Sequence, residues 1–188
     1  MREDRDPRSL DTVAERSSFF SDDRRWQAAG TPERDGAPMP TTIFVNLAVT
    51  DVNRSRAFFE SLGYSINEGF SDENAVSVVI SDTITAMLLT REFFAEFTSK
   101  SIIDATTSTE VQLSLSADSK EEVDSIHEKA LAAGATPAGE QDHGFMYSKS
   151  FDDLDGHHWD YVWMDPEAAA GGAPEMTVDE MRANTTHN

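Results

Sequence analysis

Two adjacent histidines and four aspartates lie within the thirteen residues DLDGHHWDYVWMD, numbered 153–165. The whole chain has only five histidines, so this segment is the first place to look for a metal site or a general base. Imidazole and carboxylate are preferred ligands of first-row divalent metals, and they are also common proton-transfer groups. Asp and Gly are equally typical of turns, so the same residues can simply reverse the chain and begin a strand.

Side-chain alternation separates the two histidines. Neighbouring residues in a strand point to opposite faces, so His158 and Asp160 share one face and His157 points to the other. We therefore expect Asp160 and His158 to be the candidates for chemistry, as metal ligand, general base or both. An exposed histidine at the start of a strand is the competing interpretation of His158. We interpret His157 as a turn residue whose hydrogen bonds anchor the strand.

Two further polar residues belong to the segment before this turn. His143, in QDHGFMY, precedes a strand and is a candidate base at the mouth of a cavity, although a loop histidine without a role explains it equally simply. Tyr147 is an aromatic residue of the strand itself. We predict that it lines a cavity and donates a hydrogen bond to a substrate, with burial in the core as the alternative.

Composition excludes several classes of function. The net charge is -20, from 35 acidic and 15 basic residues, so the protein repels nucleic-acid phosphates and anionic lipids. The chain has no cysteine, which excludes disulfides, thiolate ligands and a cysteine nucleophile and favours a cytoplasmic location. No apolar run reaches the length of about 18 residues that a membrane span requires.

Changes in composition divide the chain into three regions. Residues 1–40 are polar and broken by prolines, so we expect a disordered or loosely docked N-terminal arm. Residues 41–166 form the predicted domain, with module one at 41–97 and module two at 109–166. Residues 167–188 are the predicted C-terminal tail.

The order of elements repeats within the domain. IFVNLAV (43–49) predicts a strand, Asp51 caps a helix that ends at Gly63, and three further strands follow. In the second half, EVQLSLS (110–116) predicts a strand, Ser119 begins a helix, and three strands again follow. The chain therefore reads as two βαβββ modules, which is an α+β fold.

Three segments resemble the vicinal oxygen chelate superfamily, which includes glyoxalase I, bleomycin and fosfomycin resistance proteins and extradiol dioxygenases. These segments are FVNLAVTDVNRSRAFFESLGY (44–64), AGA (133–135) and DLDGHHWDYVWMD (153–165), and the similarity covers about residues 42–166. The resemblance implies that the two modules form an incomplete barrel around a cavity, the glyoxalase/bleomycin resistance fold, and that the protein is a homodimer. SDENAVSVVISDTITAMLLTREFF and QDHGFMYSKSF are similar to a bacterial subgroup of predicted lactoylglutathione lyases.

The resemblance also implies where a metal would bind. Ligands in the superfamily come from the first and last strands of each module, which here gives Asn46 and Gln112 from the opening strands and Met87 and Asp160 from the closing strands. Met87 and Tyr147 are the expected substrate contacts. Neutral amides are weak ligands and a thioether suits copper(I), so this set is poor for zinc, nickel, manganese or iron(II). Asp160 is also one methylene shorter than the glutamate usual in the family.

Two functions remain open at the level of the sequence. The first is a metal-dependent lyase or isomerase of the lactoylglutathione lyase type, in which Asp160, His158 or His143 moves a proton. The alternative is a protein that binds a drug or metabolite without chemistry, as bleomycin resistance proteins do. Both functions require a small-molecule ligand, and neither involves nucleic acid or a membrane.

Overall fold

The structure is a computed structural model that describes residues 40–171, 177, 179, 183 and 185–187. The predicted N-terminal arm lies outside these residues apart from Pro40, and the predicted tail is described only in part. No helix within the described part of the chain is both long enough and apolar enough to cross a membrane.

The elements of module one follow the predicted order. They are β1 (Ile43–Val49), α1 (Val52–Leu62), β2 (Ser65–Ile66), a 3-10 turn (Glu68–Phe70), β3 (Ala75–Val79) and β4 (Ile84–Thr90), followed by the short helix α2 (Arg91–Phe94) and a 3-10 turn (Ala95–Phe97). Its four strands form the first sheet in the order β1-β4-β3-β2, with β1 and β4 parallel.

Module two repeats this arrangement after a linker. Its elements are β5 (Gln112–Ser116), α3 (Lys120–Ala132), β6 (Thr136–Asp142), β7 (Met146–Asp152), β8 (His158–Met164), α4 (Pro166–Gly171) and β9 (Thr185–His187). The second sheet has the order β5-β8-β7-β6-β9, again with the first and last strands of the module parallel. The α+β class and the paired modules are thus confirmed, as two open sheets with no closed barrel.

Local signals in the sequence explain where the two long helices begin and end. The Asp51 carboxylate accepts hydrogen bonds from the amides of Asn53 and Arg54, which would otherwise lack partners at the start of α1. Ser119 caps α3 in the same way by accepting from the amide of Glu122. The left-handed φ of 107° at Gly63 ends α1, because glycine adopts this conformation without steric cost.

One hydrophobic core joins the two modules. α1 packs on β3 and β4, α3 packs on β7 and β8, and the two helices contact each other. The ring centroids of Phe59 and Trp159 are 5.2 Å apart, and those of Phe58 and Phe151 are 6.0 Å apart. α1 therefore also contacts the second sheet. Both sheets therefore turn their apolar faces toward the same core, and their other faces, here called the open faces, point away from it.

The linker between the modules passes close to the turn that precedes β8. A Cβ atom on Gly156 would lie 2.6 Å from the backbone nitrogen of Thr106, and the φ of Gly156 is 92°. The guanidinium of Arg91 also holds the linker, donating to the carbonyls of Ile102 and Ile103 at 3.1 Å each. Only glycine fits at position 156, because both the space and the backbone conformation exclude a side chain.

We predict that Gly156→Ala destabilises the protein more than Gly144→Ala. Gly144 also has a positive φ, 78°, but no atom lies within 4 Å of its hypothetical Cβ, so it is a matched control. The left-handed backbone costs about 1–2 kcal/mol at either position, and crowding against the linker adds about 1–3 kcal/mol at 156. Urea unfolding measures the loss in free energy of unfolding for each variant. Equal losses would contradict the prediction, because they would show that the linker moves aside without cost.

Candidate functional site

The turn before β8 is held together by the buried carboxylate of Asp153. Its oxygens accept hydrogen bonds at 3.0 Å from the backbone amides of Asp155 and His157 and from Nε1 of Trp159. Burial raises the pKa of the Asp153 carboxyl above its usual value, whereas these donors favour its ionised form. The Asp153 carboxylate is buried and bound by these three donors, so it is not available to a ligand.

His157 joins this turn to module one. Its Nε2 lies 2.9 Å from the carbonyl oxygen of Ala48 in β1, and the side chain is buried. The Asp155 carboxylate makes a second connection, accepting from the amide and hydroxyl of Thr50 and from the hydroxyl of Ser55. The interpretation of His157 as an anchor is confirmed, with the additional finding that it anchors the turn to the other module.

The open face of the second sheet carries Asp160. Residues 158 and 160 lie on this face, whereas Trp159 and Tyr161 are buried in the core, so the predicted alternation is confirmed. Asp160 lies between Ser114 of β5 and Ser150 of β7 in the sheet register. Its Oδ1 accepts from the Ser150 hydroxyl at 2.9 Å and its Oδ2 from the Ser114 hydroxyl at 3.3 Å. The carboxylate is therefore oriented by its strand neighbours.

The next row on the same face contains His158. Gln112 of β5 and Asp152 of β7 lie beside it in the register, and Nδ1 of His158 is 3.0 Å from Oδ1 of Asp152. Asp152 was not among the site residues predicted from the sequence, although the sequence carries a signal for it. Asp152 precedes a five-residue turn and His158 follows it, so an antiparallel hairpin places the two opposite each other.

The open face of the first sheet carries a different set of residues. Asn46 is exposed on β1, its register partner Met87 is half-buried on β4, and Ser77 of β3 is the next in that row. Phe44, two residues before Asn46, is 51% exposed. This face is more apolar than the open face of the second sheet.

Comparison of the two modules corrects the pairing of Asn46 with Gln112. Gln112 lies seven residues before the N-cap Ser119, and Phe44 lies seven before the N-cap Asp51. Phe44 is therefore the structural equivalent of Gln112, and it has no donor atom for a metal. Met87 is the equivalent of Asp160, as expected. Met87 pairs with Asn46, five residues before the N-cap of α1, and Asp160 pairs with Ser114, five residues before the N-cap of α3.

Tyr147 and His143 lie away from Asp160 and His158. Tyr147 is 8% exposed and packs on the helix side of the sheet, where its hydroxyl donates to Oδ1 of Asp124 at 2.8 Å. Lys149 contacts the same carboxylate at 2.7 Å and lowers the pKa of Asp124. Tyr147 therefore does not face a substrate on the open face.

His143 lies in the turn between β6 and β7, with its Nε2 3.4 Å from the side-chain oxygen of Gln141.

The donors do not fit a divalent metal. Within one chain, Asn46 and Met87 lie on one open face and Gln112 and Asp160 lie on the other, so a single chain does not bring the four together. Asp160 is the single carboxylate of the set. Across the described residues, no group of three or more histidine, aspartate or glutamate side chains is arranged to hold a metal ion.

Known proteins share both the sequence pattern and the fold. The family described as "Bleomycin resistance protein-like N-terminal" matches residues 41–81. A hypothetical protein from S. aureus has 30% sequence identity, with 67% of this chain and 95% of that chain covered and a TM-score of 0.57. The chain is thus similar to a bleomycin resistance family over residues 41–81, and to the S. aureus protein over 67% of its length. No curated protein matches the sequence.

More distant proteins of known structure share the fold alone. A glyoxalase/bleomycin resistance protein/dioxygenase family enzyme from Burkholderia phytofirmans has 20% identity, with 66% of this chain and 99% of that chain covered and a TM-score of 0.55. A genomically encoded fosfomycin resistance protein from Listeria monocytogenes has 19% identity, with 71% and 98% covered and a TM-score of 0.52.

We predict that replacing the two adjacent histidines by alanine has unequal effects on stability. His157→Ala leaves the Ala48 carbonyl without its partner and removes a buried ring, so the free energy of unfolding falls by about 1–3 kcal/mol or more. His158→Ala removes a partly exposed contact with Asp152, which is worth less than about 1 kcal/mol. Urea unfolding checks the order, and a larger loss for His158→Ala would contradict it.

Proposed function

We propose that the protein binds a small molecule carrying a positive charge or several hydrogen-bond donors on the open face of the second sheet, without a divalent metal. The main observation behind this proposal is that the Asp160 carboxylate is held in place but has no basic partner. It is oriented by Ser114 and Ser150, it is half-buried on a polar face, and no lysine or arginine of the described chain pairs with it. Such a carboxylate supplies a directed acceptor for a cationic ligand.

The charge of the chain supports a cationic ligand. A net charge of -20 draws cations toward the surface and repels anions, which increases the rate of encounter with a cationic molecule. The match to a bleomycin resistance family supports the same class, since bleomycin is a cationic drug that such proteins sequester. Sequestration requires binding alone, so a chain without a metal-ligand set can perform it.

The competing function is a metal-dependent lyase or isomerase of the lactoylglutathione lyase type. The resemblance to that bacterial subgroup supports it, but the side chains argue against it. Phe44 stands where the repeat would place a ligand equivalent to Gln112, and Met87 stands at the equivalent of Asp160. Even taken together, the four equivalent positions offer only one carboxylate, one amide oxygen and one thioether, which is a poor set for a first-row divalent metal.

We also propose that two copies of the chain form a homodimer that covers the ligand. In one chain the two open faces point away from each other, so neither closes the other. Phe44 leaves 51% of its surface exposed on the open face of β1, and an exposed apolar residue of this kind favours an interface. The first-sheet face of one protomer, with Asn46 and Met87, would then lie over the second-sheet face of its partner.

We predict that aromatic cations stabilise the protein and that Asp160→Asn removes this effect. Metal-free bleomycin and ethidium serve as cationic probes, and fosfomycin serves as an anionic one. A probe at about 100 times its Kd adds about 2.7 kcal/mol to the free energy of unfolding, which thermal unfolding detects as a shift of several degrees. Asp82→Asn is the matched control, because it removes one exposed charge from the β3–β4 turn.

The same assay separates binding from metal-dependent catalysis. Zinc, nickel, manganese and iron(II) are expected to give no saturable change in Tm with either the wild type or the variants. A saturable shift with one of these metals that disappears in Asp160→Asn would contradict the metal-free proposal. Stabilisation by fosfomycin and by neither cation would contradict the proposed ligand class.

We predict that Phe44→Glu converts the dimer to a monomer, because it places a charge in the proposed apolar interface. Light scattering after size-exclusion chromatography measures the mass of the wild type and of the variant. Leu131→Glu is the matched control, since Leu131 is a 36% exposed apolar residue of α3 on the other side of the sheet. A wild-type protein that elutes as a monomer at all concentrations would overturn the dimer proposal.

A further inference from the structure

A cavity of about 380 Å³ lies beside the open face, at the end of the second sheet. It is lined by linker residues 105 and 108–111 and by strand residues that include Thr136, Asp152 and His158. The volume is in the range of small-molecule sites in proteins. Asp160 does not line this cavity, although it lies two residues from His158 on the same face of β8.

The polar pair in this cavity has a defined arrangement of hydrogens. Nδ1 of His158 lies 3.0 Å from Oδ1 of Asp152, and a carboxylate can only accept a hydrogen bond. The hydrogen is therefore on Nδ1 in the neutral imidazole, which leaves the lone pair on Nε2. No described residue forms a hydrogen bond with Nε2. This nitrogen can therefore accept a hydrogen bond from a bound molecule.

The pair is rigidly placed. His158 and Asp152 are register partners at the adjoining ends of β8 and β7, and the five-residue turn between them is fixed by Asp153 and His157. The His158 side chain is 20% exposed, so it is partly shielded from solvent while it still borders the cavity. A histidine oriented by a carboxylate on regular strands is a preorganised base.

We propose that His158 is a general base for a molecule bound in this cavity and that Asp152 positions its ring. This inference goes beyond the proposed binding function, because it assigns proton transfer to a different pair of side chains. It also requires no metal. The ligand class is a small molecule with an acidic C–H, N–H or O–H group, small enough for the cavity beside Glu110 and Thr136.

A base-catalysed elimination tests the proposal without knowledge of the natural ligand. The probe is 5-nitrobenzisoxazole. Nε2 takes the proton from C3, the C–H electron pair forms the nitrile, and the N–O bond breaks to give 2-cyano-4-nitrophenolate, whose absorbance is measured. The imidazolium then releases its proton to water. A positioned general base contributes about 10²–10⁴-fold, so we expect His158→Gln to lower the rate at least about ten-fold.

His127→Gln is the matched control. His127 lies on α3, on the helix side of the second sheet, and does not line the cavity, so its loss is expected to leave the rate unchanged. A wild-type rate no higher than that of His158→Gln, or an equal loss in His127→Gln, would overturn the proposal. Bleomycin binding that survives such a result would leave the proposed function standing, so the two failures can be told apart.

The positioning role of Asp152 has its own measurement. The ¹⁵N chemical shifts of the His158 ring report which nitrogen carries the hydrogen, and we expect a hydrogen on Nδ1 in the wild type. In Asp152→Ala the two tautomers mix and the Nε2 shift moves toward the average, with a lower elimination rate. Asp152 is 40% exposed, so this variant is expected to fold. A hydrogen on Nε2 in the wild-type protein would refute the assignment even if His158→Gln does not fold.

Discussion

The packing of α1 against both sheets is the interaction on which the rest of the structure depends. Phe58 and Phe59 contact Phe151 and Trp159 edge to face, a geometry that adds about 0.5–1.5 kcal/mol per pair beyond the burial of apolar area. Because one helix serves the cores of both modules, the sheets share a single interior. Their open faces are consequently turned outward, and any ligand site on them must lie on the outside of the chain or between two chains.

In the segment 153–165, which has the composition of a metal site, most of the polar side chains instead hold the turn together or connect it to module one. Asp153, Asp155 and His157 each hold backbone or hydroxyl groups of the turn or of module one. A buried carbonyl such as that of Ala48 would otherwise lose its hydrogen bond, which costs about as much as a cap or a small cavity. Only His158 and Asp160, on the opposite face of the strand, remain for chemistry.

Local rules predicted the parts of the site that depend on neighbours in the sequence. The alternation along β8 correctly separated Asp160 from Trp159, and the same rule places Tyr147 on the face of Phe151, which indicates burial. The Asp152–His158 pair and the equivalence of Phe44 with Gln112 depend on hairpin register and on comparison of the two modules. Those relations are set by turn geometry, which composition and periodicity do not reveal.

The short strand β9 pairs with β6 through the backbone of residues 185–187. Without it, β6 would be the outermost strand of the second sheet, with a row of amides and carbonyls open to water. Such an edge can template pairing between molecules and so promote aggregation. Residues 185–187 thus reduce aggregation by covering this edge. Their proteolytic loss would favour association through the edge while leaving the aromatic interior intact.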